Sequence, residues 1–149
     1  MRKYLKIKNI EVINECTLLE SFSLLEEILK KEYSEDYSIY YQIGRSEVLL
    51  KVVLSLLIPL RDMGLLFTPN GKKVEGLDFK LIEKWYRVKE LQKLFFYIKN
   101  NKLDIDLKRV EAYFTAFDLN IENETKLSSN DIKMAQVVES QWWNFFKKL

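Results

Sequence analysis

The chain has 149 residues, 48% hydrophobic and 31% charged, with 24 basic side chains against 22 acidic ones. That balance belongs to a folded globular protein, and the length suits a single domain (1–149) with a real core. The absence of His and the presence of one Cys, Cys16, exclude a Ser-His-Asp triad, a Cys-His pair and His-ligated metals, and leave no intrachain disulfide, thiolate zinc site or iron–sulfur cluster.

Charge is unevenly spread. Residues 1–69 carry 9 basic and 10 acidic side chains, residues 70–109 carry 11 and 6, and residues 110–149 carry 4 and 6. A basic middle between mildly acidic flanks suits an anionic partner, and equally a solvated Lys-rich helix face. Met1 to Lys6 lacks the apolar core of a signal peptide, and the apolar run from Val48 to Leu60 is too short to span a bilayer. A reducing, cytoplasmic compartment without membrane contact is the expectation.

In chain order, Tyr4 to Ile13 alternates loosely and suits a short strand or extended arm. Thr17-Leu18-Leu19-Glu20 has capping-box form, and Leu18, Phe22, Leu25 and Leu29 follow at helical spacing. Tyr33 to Ile43 is a tyrosine-rich connection. Ser46 to Ile58 predicts a central helix that is apolar on nearly every side, its polar members Glu47, Lys51 and Ser55 forming one stripe. Glu47 and Lys51 have the favourable order for an i,i+4 pair, and Pro59 ends the straight run or caps a new turn.

Thr68-Pro69-Asn70-Gly71-Lys72-Lys73 is a turn signal compatible with a small hairpin. Phe79 to Ile98 predicts one long helix with Leu81, Trp85, Val88, Leu91, Phe95 and Ile98 on its inner stripe. After Asn100-Asn101, Asp104 or Asp106 caps a helix through about Phe117 that buries Leu107, Val110 and Phe114. A polar loop leads to a last helix from Ser128, with Trp142 and Phe145 inside. The expected fold is mainly α, a single helical domain of five or six helices with a small β-hairpin.

Two local features could carry chemistry. At Gly44-Arg45-Ser46, a helix N-terminus with an adjacent guanidinium would suit phosphate, although Ser46 can equally be a plain cap and Arg45 the partner of a surface carboxylate. At Trp85-Tyr86-Arg87, successive helical residues point about 100° apart. With Trp85 inward, Tyr86 and Arg87 are left at the rim, able to stack on a base and hold a phosphate, or simply to snorkel. The carboxylates Asp104, Asp106, Glu35 and Asp36 are scattered and have simpler uses as caps or loop residues, so no metal site and no catalytic residue is assigned. Trp143 and Phe146 are left over by the last helix's inner stripe and suit a partner-protein contact.

Together, Gly44-Arg45 and Asp78-Phe79-x6-Tyr86-Arg87-Val88-Lys89-Glu90-Leu91, with Arg45 and Tyr86 41 positions apart, resemble the C-terminal domain of the archaeal and eukaryotic primase large subunit. The similarity covers about a third of the chain. It implies that Arg45 contacts the triphosphate of an initiating nucleotide and Tyr86 its sugar or base, with Arg87 beside it. The family's four cluster-binding cysteines are missing, and Glu90 stands where a His is common. A version without the iron–sulfur cluster resembles PriX, the small accessory subunit of some archaeal primases.

The expectation is therefore a non-catalytic primase subunit that binds ATP or another nucleoside triphosphate, and template single-stranded DNA, beside catalytic and large primase subunits. Arg45, Lys51 and Arg87 would supply charge, Tyr41, Trp85 and Tyr86 a stacking surface, and Lys72 and Lys73 phosphate steering. Two rivals stay open. One is a helical interaction or inhibitor protein anchored by Trp143 and Phe146. The other is a degenerate homing-endonuclease-like DNA-binding domain, whose sheet would use Tyr37 to Ile43, the turn at Pro69–Gly71 and the alternating Leu77, Phe79 and Leu81.

Overall fold

The computed structural model of the protein describes residues 15–23, 26, 37–116 and 121–122, with residues 37–47 and Phe79 described through their backbone. The expected arm at Tyr4–Ile13 and the last helix with Trp142, Trp143, Phe145 and Phe146 lie outside the described residues. The fold is mainly α. Helix α1 spans Tyr37–Asp62, α2 Phe79–Trp85, α3 Val88–Asn100 and α4 Lys108–Ala116. Residues 18–23 are also helical, and among the described residues the one β pairing is an isolated bridge between Phe67 and Lys73. No described helix is long and apolar enough to cross a membrane.

Helix α1 is the axis of the core. Leu49, Leu50, Val52, Val53, Leu54, Leu56, Leu57, Ile58 and Leu60 are all buried, as an all-round apolar helix requires. It packs against each of α2, α3 and α4. Ser55 sits buried on the predicted polar stripe and donates its hydroxyl to the Val52 carbonyl at 2.6 Å. The helix is longer than its apolar run at both ends. It starts at Tyr37, so part of the tyrosine-rich connection is helical, and it passes through Pro59 to Asp62. Proline removes one intrahelical donor, yet one such loss near the end is outweighed where the flanking Ile58 and Leu60 are buried.

Both long helices close the same way. After α1, the Gly64 amide donates to the Arg61 carbonyl and that of Leu65 to the Leu60 carbonyl. After α3, the Lys102 amide donates to Lys99 and that of Leu103 to Ile98. This is the Schellman pattern, whose pivot residue takes positive φ: 69° at Gly64 and 52° at Lys102. Glycine suits that conformation and lysine is strained in it. An added Cβ at Gly64 would meet nothing within 4 Å, so its cost is backbone alone. Gly64→Ala is expected to destabilise by about 1 kcal/mol and Lys102→Gly to stabilise by up to about 1 kcal/mol, read as opposite shifts of the urea midpoint.

The turn after α1 is a tight hairpin. The Gly71 amide donates to the Thr68 carbonyl, the Thr68 amide to Lys72, and the Val74 amide to Leu66, at 2.8, 2.8 and 3.0 Å. Pro69 and Asn70 keep negative φ and Gly71 takes φ 87°, the form of a three-residue hairpin loop closed by a glycine. Phe67 and Lys73 form the pair that exchanges no bonds, so the Phe67 carbonyl points away from its partner strand. It accepts the indole N–H of Trp85 at 2.8 Å.

The expected single helix from Phe79 to Ile98 is two helices. Arg87 is extended, at φ −73° and ψ 143°, and separates α2 from α3. On a straight helix neighbouring side chains such as Trp85 and Tyr86 diverge by about 100°. The break lets Trp85, Tyr86 and Val88 all be buried. The inner stripe is otherwise as predicted, with Leu81, Leu91, Phe95 and Ile98 in the core. Asp78 starts α2 by accepting the Leu81 amide at 2.8 Å, and Asp106 starts α4 by accepting that of Lys108 at 3.0 Å.

Residues 15–23 lie across this frame. Thr17 accepts the Glu20 amide at 3.2 Å, as the capping-box spacing predicts, and donates its hydroxyl to the Glu20 carboxylate at 3.0 Å. Arg61, at the end of α1, donates to the Cys16 carbonyl at 2.6 Å.

Candidate phosphate-binding surface

The basic segment is built from the hairpin outward. Phe67 packs edge-on against Trp85, with ring centroids 5.3 Å apart, and against Tyr97 at 4.7 Å. These rings seat the hairpin over α2 and α3. Lys93 of α3 reaches the turn and donates to the Pro69 carbonyl at 2.7 Å. Lys72 and Lys73 are therefore carried on a braced loop with a third ammonium at its base.

All eleven basic residues between 70 and 109 are exposed, from Lys72 to Arg109. Of the six acidic residues there, Asp78 and Asp106 cap helices, and Glu83 and Glu90 are half-buried. The cationic excess read from the sequence thus faces solvent on ordered elements. Cations spaced along such a surface can neutralise successive phosphates without base recognition.

The arginine-and-aromatic site expected from the sequence is differently placed. Gly44-Arg45-Ser46 does not open a helix, because α1 begins at Tyr37 and these residues lie about two turns inside it. Their amides belong to the helix interior, which removes the anion-binding terminus. Tyr41 and Arg45 are on the same helix, and their side chains lie outside the described ones.

Trp85 is 0% exposed and its N–H is engaged by Phe67, so it is a core residue and offers no stacking surface. Tyr86 is 5% exposed, so it is not left at the rim as expected, and it presents no open face to a base. Arg87 does reach the rim, with its guanidinium 5.8 Å from the Tyr86 ring centre.

Lys51 is not on a free edge either. It pairs with the Glu26 carboxylate and stands over the Phe22 ring at 5.4 Å. Of the strands required by a homing-endonuclease-like domain, Tyr37 to Ile43 falls in α1, and Phe79 and Leu81 fall in α2.

The motif residues have structural work of their own. Asp78 caps α2, while Tyr86, Val88 and Leu91 are buried around the helix break. Their spacing follows from packing two helices at one corner. Residues absent from the sequence reading are Arg61, Lys93 and Arg109, each of which acts on a segment far away in the chain. No local pattern marks such residues.

Cys16 is buried, and burial pushes its thiol up while the charge of Arg61 pulls partly the other way. An unfolded thiol ionises near pH ~8.5. With the folded value higher, the unfolded state loses its proton first, so this group's contribution falls as pH rises above that point. Wild type is expected to lose more stability than Cys16→Ala between pH ~7.5 and ~9.5, measured by urea denaturation at both values.

Comparison with family models, with curated proteins and with solved structures gives no match.

Proposed function

We propose that this chain is a non-catalytic accessory subunit of primase type, holding the phosphates of a template strand or of an initiating nucleoside triphosphate on its basic surface. The observation that supports this reading is the exposure of every Lys and Arg between 70 and 109, with Lys72 and Lys73 carried on a braced hairpin. The primase assignment itself rests on the Gly44-Arg45 and Asp78-to-Leu91 resemblance. Because Trp85 and Tyr86 are buried, affinity comes from phosphate charge, with Arg87 the member of that triplet at the surface.

Fluorescence anisotropy with labelled single-stranded oligothymidylate, and calorimetry with ATP, test the reading at low and moderate salt. Binding of either ligand that weakens steeply with salt is the expected result. The absence of salt-sensitive binding to both ligands refutes it. Co-purification of catalytic primase subunits from the native host tests the assembly.

A further inference from the structure

The rings of Trp85 and Tyr86 are withdrawn into the core, but another pair stands where the hairpin meets α3. Phe67 and Tyr97 are in contact, with ring centres 4.7 Å and planes 60° apart. Each is half-buried, resting on the core with part of its surface and meeting solvent with the remainder. Among the described residues the Tyr97 hydroxyl has no hydrogen-bond partner.

A lysine accompanies each ring. Phe67 and Lys73 lie directly opposite each other in the hairpin, as a pair that exchanges no hydrogen bonds. Side chains of such a pair share one face and sit close together. On α3, Lys93 and Tyr97 are four residues apart and so are neighbours on one face. Lys93 gives one of its three N–H donors to the Pro69 carbonyl and is otherwise exposed. Lys89 continues the row one turn earlier, about 6 Å along the axis. The hairpin and α3 thus bring two cations to two touching rings, with a third cation in line.

A cationic row ending in aromatic rings suits one form of nucleic acid. In a duplex the faces of the bases are covered by their neighbours, so lysines meet phosphates and the rings meet nothing. A single strand can lay a base on a protein ring while its backbone follows the charges. We propose that Tyr97, seated against Phe67, stacks on a base of single-stranded nucleic acid while Lys73 and Lys93 hold adjacent phosphates. The inference rests on the nucleic-acid reading above and deepens it, because it assigns the strand form and a contact that carries no charge. Every base has a π face, so the contact tolerates any sequence.

Anisotropy with the full chain compares a labelled oligothymidylate of about twenty nucleotides with a duplex of equal length. Tyr97→Leu is expected to weaken single-strand binding about tenfold and duplex binding by less than about twofold. The slope of log affinity against log salt stays as in wild type, because a stacking contact releases no counterion. Tyr97→Phe keeps a ring and is expected to bind within about threefold of wild type. Circular dichroism checks the helix content of both variants. Single-strand affinity of the leucine variant within about twofold of wild type, or equal losses on both ligands, overturns the inference and leaves the basic surface standing. Absence of single-strand binding by the wild type also overturns it, and refutes the proposed function as well where ATP fails to bind.

A wild-type experiment decides the matter if the leucine variant does not fold. An oligothymidylate carrying 5-iodouracil is irradiated in complex with the chain, since this base joins covalently to aromatic rings stacked on it. The adduct is expected on Tyr97. A bound oligonucleotide that yields no adduct there overturns the inference.

Discussion

Trp85→Ala is expected to destabilise the fold by about 3–5 kcal/mol, the usual cost of truncating a fully buried large aromatic. Trp85 ends α2, packs edge-on against Phe67 and gives its N–H to the Phe67 carbonyl. The substitution therefore opens a cavity at the helix corner and unseats the hairpin at once. Domains of this kind hold only about 5–15 kcal/mol in total, so the variant should be close to unfolding at physiological temperature.

Trp85→Phe keeps most of the ring but leaves the carbonyl without its donor, for a smaller loss of about 1–3 kcal/mol. Urea titration followed by circular dichroism measures both, and reports the helix content on which the fold depends. A loss below about 1 kcal/mol for the alanine variant would mean that the corner is not held by this residue.

Reversing the hairpin charges, with Lys72→Glu and Lys73→Glu together, is expected to weaken single-stranded DNA binding more than tenfold at low salt. Two lost phosphate contacts flatten the plot of log affinity against log salt by about 1.4, at roughly 0.7 per phosphate on a single strand. Stability should stay within about 0.5 kcal/mol, because the turn is built from backbone bonds and the Thr68 hydroxyl, not from the lysine side chains. Affinity within twofold of wild type would remove the hairpin from the binding surface. Measuring binding and stability on the same preparation separates lost charge from lost fold.

The parts of the fold legible in the sequence are those decided within a few residues. Thr17-x-x-Glu20 makes its cap, Thr68 to Lys73 makes its hairpin, and the stripe from Leu81 to Ile98 is buried as its spacing predicts. Asp106, one of two candidate aspartates two residues apart, accepts the first amide of α4. Each rests on a local hydrogen bond or on the helical repeat, and both are properties of a short stretch of chain.

The candidate site was less legible. Gly44 reads as a boundary because glycine often marks one, yet a glycine within a helix costs only about 1 kcal/mol, and the hydrogen-bond ladder of α1 continues through it. Trp85-Tyr86-Arg87 reads as a rim because a continuous helix would put it there. The chain breaks the helix instead, and the two rings go inside.

The sequence alone therefore determined a helical protein with a greasy central rod, a glycine-closed turn and a cationic middle, since composition, periodicity and turn chemistry are carried by neighbouring residues. Tertiary structure alone decided which aromatics were withdrawn from solvent, where α2 gives way to α3, and that Phe22 joins Lys51 to Arg109. The physical reason is that burial and charge pairing depend on what other segments supply, and a single stretch of chain does not contain its own surroundings.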